Sequence, residues 1–272
     1  MRRREECADA LEKAKASAPG SMFRDRAIAI CQQDLDRWTS ETAHGMLAKH
    51  KRDEAASVER ERQAKDDDVR RVNAARFAAW NRLIEDRGKR YDSCRLTNYE
   101  VTTDTQRNVL DRLREYANSV KDRVSSGDGI ILIGPSGTGK DHLLTGLARV
   151  AIGLDITVAW TSGVKLFRDS RDAIATGDQE TLIRNLSRVQ VLILSDLIPP
   201  AQRLTDFQAE TIYAIADERY NRALPTWLSV NVANREAMES AIGVPVVDRL
   251  AHGAIVLACD WPSYRKPDGK KP

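Results

Sequence analysis

Hydrophobic positions along this chain follow two different rules, and the change comes near Gly88. Residues 21–90 contain no proline, their two glycines (Gly45 and Gly88) are isolated, and Ala, Arg, Glu, Lys and Asp dominate. That composition predicts long helices. Between residues 49 and 71 apolar side chains are too sparse to bury a face, which predicts a solvated helix, a coiled-coil arm or a partner-binding segment. The helical spacing of Val72, Ala75, Phe77, Ala79, Trp80, Leu83 and Ile84 predicts a docked helix, with Phe77 and Trp80 packed into a core. A partner-protein surface is the alternative use of that stripe.

After Gly88 the rule changes. Residues 95–101 predict an extended connector, and Asp104 is placed to cap a helix running to about residue 123. Short apolar runs then alternate with helical patterns, at 130–133, 156–160, 189–194, 225–232 and 254–258. Strands alternating with helices predict an α/β fold with a parallel sheet covered on both faces. In that architecture ligands sit at the C-terminal ends of the strands.

Composition adds limits. Of 272 residues, 31% are charged and 42% hydrophobic, enough apolar content for a core in a soluble protein. No apolar run approaches the ~20 residues of a membrane helix, and the basic start lacks the apolar segment of a secretory signal. Cys7, Cys31, Cys94 and Cys259 are scattered, without the paired spacing of zinc or redox sites, which predicts reduced thiols and a cytoplasmic location. Net charge is only +3. A basic excess in the first third and Lys266, Lys270 and Lys271 at the other end permit nucleic-acid contact without establishing it.

The sharpest chemical signal follows the first apolar run. Gly134, Pro135, Ser136, Gly137, Thr138, Gly139 and Lys140 form a glycine-rich loop between a strand and a helical pattern. Glycines let successive backbone N–H groups face a polyphosphate, the helix presents its positive end, and the lysine reaches the outer phosphates. Asp141 and His142 follow where a hydroxyl residue normally ligates Mg²⁺. The strand at 189–194 ends in Ser195 and Asp196, where two carboxylates are usual: Ser195 falls in the metal place and Asp196 in the water-activating place. Asp141, Ser195 and Asp196 are therefore the expected metal set. Either Asp141 and Ser195 are a reciprocal exchange around Mg²⁺, or the site binds ATP and hydrolyses it poorly. Asn231 closes a later strand and suits the orientation of a water. Arg249 is a candidate finger and Arg265 a second phosphate contact.

This order of motifs resembles the AAA+ ATPases of the DnaC-like and IstB-like helicase-loader group. The resemblance rests on Arg90-Tyr91, Leu96-Thr-Asn-Tyr99, the loop through Leu143, Ser195-Asp196, Asn231, Asp248-Arg-Leu250 and Ser263-Tyr-Arg265, and it covers roughly residues 90–265. It implies a P-loop AAA+ sheet flanked by helices and preceded by a helical region. It also implies Lys140 as the Walker A lysine, Asn231 as sensor 1, Arg249 as arginine finger and Arg265 as a sensor-2-like residue. ATP and Mg²⁺ are the implied cofactors. The implied assembly is an ATP-dependent homo-oligomer engaging DNA, single-stranded for a loader, with Lys165 and Arg168 as candidate contacts. The implied domains are a partner-binding region at 1–90, a connector and leading helix at 91–128, the ATP-binding core at 129–265 and a basic tail at 266–272. Three functions follow: loading a replicative helicase, recruiting a transposase to duplex DNA, or gating an interaction by nucleotide with little hydrolysis.

Overall fold

The computed structural model describes residues 2–16, 22–198 and 203–265, so the tail at 266–272 lies outside the described residues. Contacts divide the chain after Val72 into two units. The first holds helix α1 (Arg2–Ala16) and most of α2 (Met22–Arg87), whose last turns belong to the second. In the first unit the described side chains of α2 are largely exposed. Met46, Leu47 and Val58 are exposed, and Arg37–Glu41, Arg62–Glu59 and Arg70–Asp67 pair along the helix at three- and four-residue spacing. Such exposed pairs add little stability individually. No described helix is long and apolar enough to cross a membrane.

In the second unit the final turns of α2 dock as their spacing predicted, with one correction. Trp80, Leu83 and Ile84 are buried in the core, but Phe77 is 67% exposed. The core begins at Trp80, and Phe77, one turn earlier, faces solvent. Trp80 donates to Asp92 Oδ1 (2.7 Å) and carries the Arg149 guanidinium 4.2 Å from its ring. Arg76 makes a two-pronged pair with Asp155.

The connector after α2 is turned rather than extended. A single 3-10 turn at Lys89–Tyr91 is followed by bends whose backbone bonds close over three residues, such as Asn98 N–H to Arg95 O. The next helix also departs from expectation. Thr103, not Asp104, is the cap: its hydroxyl accepts from Gln106 N–H while the Gln106 side chain accepts from Thr103 N–H. The helix is then broken at Ser119 into α3 (Asp104–Asn118) and α4 (Val120–Ser126).

The rest is one five-stranded parallel sheet. In chain order it comprises β1 (Ile130–Ile133), α5 (Lys140–Gly153), β2 (Val158–Ser162), α6 (Gly163–Thr176), α7 (Gln179–Arg188), β3 (Val191–Ser195), α8 (Asp206–Asn221), β4 (Thr226–Val230), α9 (Arg235–Ile242), α10 (Val244–Ala251) and β5 (Ile255–Ala258). The spatial order is β2-β3-β4-β1-β5. Alternation along β1 divides the core: Ile130 and Leu132 face a layer with α3, α4 and α5, whereas Ile131 and Ile133 face α6, α8, α9 and α10. The inner strands β1, β3 and β4 are buried on both faces, whereas edge strand β5 leaves Val256 and Ala258 exposed. Strand β1, between β4 and β5, ends at the point where the chain first leaves the sheet, and its C-terminal end opens onto the glycine-rich loop.

Arg219, unremarked in the sequence, is wholly buried on α8. Its five N–H groups are taken by Thr226 Oγ1 and by the carbonyls of Leu186, Val189, Gln190 and Pro225. Burial without a carboxylate pushes its guanidinium down to about 9. It fastens α8 to the chain entering β3 and β4.

Candidate nucleotide site

β1 delivers the loop and α5 begins at Lys140, so the first N–H groups of a 14-residue helix face the loop's concave side. Two glycines are sterically required. A Cβ on Gly134, at φ +143°, would lie 2.2 Å from Cys259 O, and one on Gly139, at φ +86°, would lie 2.8 Å from the Tyr99 ring. The loop is gripped from both sides. Tyr99 O–H and Trp261 Nε1–H both donate to Thr138 O, at 2.8 and 2.9 Å. Tyr264 N–H donates to Gly137 O, and Arg265 Nη1 donates to Ser136 Oγ at 3.3 Å.

Lys140 Nζ donates to Gly134 O (2.8 Å), Pro135 O (2.8 Å) and Asn231 Oδ1 (2.9 Å). Burial lowers its pKa from the ordinary lysine value, Arg265 pushes the same way, and Asp196 opposes them. Asn231 Nδ2 in turn donates to Asp196 Oδ1 (2.9 Å). Asp196 turns off β3 with a left-handed backbone, φ +46°. Lys140, Asn231 and Asp196 thus form one polar chain across the ends of β1, β4 and β3. With Gly137, Tyr99 and Arg265 they line a cleft of about 400 Å³. A concave loop of backbone donors, a desolvated lysine and a neighbouring arginine fit a polyphosphate, and the cleft beside Tyr91 and Tyr99 is large enough for a nucleoside.

Of the expected Mg²⁺ set, Asp141 and Asp196 line the cleft and Ser195 does not. Ser195 is fully buried, and its hydroxyl accepts from Trp160 Nε1–H (2.9 Å) instead of facing the cleft. Asp141 is held on both oxygens: the Ser229 hydroxyl donates to Oδ1 (2.9 Å), and the Arg87 guanidinium pairs with Oδ2. Asp141 thus takes its hydroxyl partner from Ser229, the residue paired with Ser195 across β3 and β4, rather than sharing a cation with Ser195. Among the described residues no three or more His, Cys, Asp or Glu side chains lie together as a metal site. As arranged, the Ser195 hydroxyl and both Asp141 oxygens are engaged by protein partners, which does not suit a divalent cation between them.

His142 lines the cleft, and its side chain is tied to the connector. Its Nε2 lies 3.0 Å from both Arg95 O and Asn98 Oδ1, two acceptors, so that nitrogen carries the proton. Burial lowers its pKa from the ordinary 6.5. The folded site resists the proton that the unfolded chain accepts, so stability is lost as pH falls below about 6.5. We expect the melting temperature of the protein to drop between about pH 7.5 and 5.5, and His142→Gln to flatten that drop. An unchanged slope in the variant contradicts this assignment.

Arg249 is not in the cleft. It lines a separate cavity of about 350 Å³ with Arg219 and Thr226, near the N-terminal ends of β1 and β4. Asp217 accepts from its Nε (2.7 Å), Tyr213 O–H from its Nη2 (2.9 Å), and its Cζ lies 4.6 Å from the Tyr213 ring centroid. Within one chain it lies in a different cavity from Lys140. Lys165 and Arg168 lie on α6 and both pair with Asp169. Sequence reasoning missed Arg87, Ser229 and the loop clamps Trp261 and Tyr264. The last stood among the quoted motifs without a role, and Arg87 is one arginine among many on a charged helix.

Parallel order β2-β3-β4-β1-β5, a phosphate loop after β1 and an asparagine at the end of β4 define a P-loop ATP-binding protein of the AAA+ class. The family model described as "IstB-like ATP binding protein" matches residues 56–271, and the chain belongs to that family. It is 31% identical over 183 residues to the replicative helicase loader DnaC of Escherichia coli (strain K12), covering 64% of this chain and 70% of that protein. It is 30% identical over 149 residues to a putative insertion sequence ATP-binding protein, y4iQ/y4nD/y4sD, of Sinorhizobium fredii (strain NBRC 101917 / NGR234), covering 53% and 48%. The fold matches a crystal structure of the DnaC helicase loader (TM-score 0.57, 23% identity, 63% of this chain and 99% of that one). It also matches AMPPCP-bound DnaA from Aquifex aeolicus (TM-score 0.53, 17% identity, 62% and 50%). Family membership supports ATPase activity in general and a role in replication or transposition.

Proposed function

We propose that this protein is an ATP-dependent accessory factor of DNA replication that loads a replicative helicase onto DNA. The observation that carries the reading is the chain Lys140–Asn231–Asp196, which sets a phosphate-binding lysine and a water-orienting pair in one cleft. The choice of partner rests on the greater coverage of the helicase-loader relative. Lys140 and Arg265 hold the outer phosphates, and Asn231 and Asp196 orient the attacking water. Arg249, remote from its own cleft and braced by Asp217 and Tyr213, reaches the site of a neighbouring copy in a homo-oligomer. Lys165 and Arg168 contact single-stranded DNA, the N-terminal helices dock on the helicase, and the protein works in the cytoplasm.

The test is co-elution of the full chain with the replicative helicase of its own cell, or with a transposase, with and without ATP. Nucleotide-dependent co-elution with the helicase is expected. Co-elution with the transposase alone replaces loading by transposition, a role that the insertion-sequence relatives keep in view. A second expectation concerns chemistry: Asn231→Ala keeps ATP affinity within about threefold while turnover falls by about 10²-fold. Equal loss of both assigns Asn231 to binding alone.

A further inference from the structure

Arg87 is the last residue of α2, and Gly88 turns the chain away behind it. Its guanidinium lies 4.1 Å from the Tyr91 ring centroid and 4.9 Å from that of Trp160, and Nη2 donates to Tyr91 O–H at 3.1 Å. The arginine and Asp141 side chains are only 14% and 17% exposed. Trp160 also uses its indole N–H on Ser195, so one aromatic side chain both covers the expected metal hydroxyl and flanks the arginine. The positive charge nearest Asp141 is therefore built into the chain. The planar fork of an arginine suits a carboxylate flanked by aromatic faces.

We infer that Arg87 is the resident cation of the nucleotide site, neutralising Asp141 in place of a divalent ion, so that ATP is held without metal. A bare carboxylate at the first turn of α5 repels the phosphates, and Arg87 removes that repulsion. The inference rests on the reading of the Lys140 cleft as the nucleotide site.

Calorimetric titration of the full chain with ATP tests it, once in Mg²⁺ and once in excess EDTA. Wild-type affinity changes by less than about threefold between the two. Arg87→Met keeps the apolar stem between the rings and deletes the charge; its affinity in EDTA falls by about tenfold or more, and Mg²⁺ restores much of it. The double variant Arg87→Met, Asp141→Asn regains wild-type affinity in EDTA, because neither charge remains. A packing role for Arg87 predicts no such recovery. Arg87→Lys and Asp141→Asn, each alone, bind ATP in EDTA, which keeps the test decisive if Arg87→Met fails to fold in a thermal melt. A tenfold loss of wild-type affinity in EDTA overturns the inference, as does an unrepaired double variant. Absence of ATP binding in both buffers, or binding that survives Lys140→Ala, instead removes the nucleotide-site reading and the inference with it.

Discussion

Lys140→Ala is expected to weaken ATP binding by about 10²-fold or more and to abolish turnover. Charge-assisted bonds to phosphate are each worth about 1.5–3 kcal/mol, and every 1.4 kcal/mol is tenfold in affinity. Without nucleotide, the ammonium is held by two loop carbonyls and Asn231, and it is desolvated enough to depress its pKa. Phosphate oxygens offer it a negative partner that carbonyls do not, so the lysine is poised to exchange one set for the other. Its removal leaves three acceptors short of a donor but also removes a desolvated charge, and these oppose each other in the free protein. The variant should melt close to wild type while losing ATP. Titration with ATP beside a thermal melt separates the two effects, and unchanged affinity contradicts the site.

Gly134→Ala is expected to cost about 3 kcal/mol of folding stability, from backbone strain of about 1–3 kcal/mol and overpacking of similar size. The new methyl group meets the Cys259 carbonyl, and that carbonyl cannot swing aside cheaply. The Cys259 N–H is fixed to Ile133 O at 2.7 Å at the end of the β1–β5 ladder. Relief has to come from the loop, which lifts it from the position that Thr138 and Gly137 hold against Tyr99, Trp261 and Tyr264. Nucleotide affinity should therefore fall together with stability. Urea unfolding at constant m-value measures the first. A loss below about 1 kcal/mol indicates that the loop relaxes more freely than these contacts allow.

The strands were legible because a parallel sheet buried on both faces needs runs of apolar residues, and 130–133 falls on β1 without adjustment. The runs at 156–160 and 189–194 read early by two residues. Ile156 and Val189 are apolar and buried or partly buried, but they lie before the ladder, where the Gln190 side chain accepts from Thr157 N–H and binds the two turns together. Periodicity records burial and does not see that crossing. The break at Ser119 left no proline or glycine to mark it. The cap at 103 went to the wrong residue because the box needed Gln106 as well as its threonine.

At the site, the loop and Asn231 were legible because strand, turn and chemistry coincide within a few residues. Asp141 and Ser195 were recognised as departures, but their partners were not. Arg87 reaches Asp141 from 54 residues away, and Ser229 is an inward hydroxyl in an apolar strand. Such pairings exist only once the sheet order is known. Ser195 sits where the pattern placed it along the chain, yet Trp160 from the adjacent strand claims its hydroxyl.

The most direct measurement is ATP hydrolysis by the purified chain with and without single-stranded DNA, with Lys140→Ala alongside. The account predicts turnover that rises with DNA and is absent from the variant. Tight ATP binding with no turnover in either condition contradicts it, and leaves a nucleotide-gated binding protein in place of a DNA-coupled ATPase.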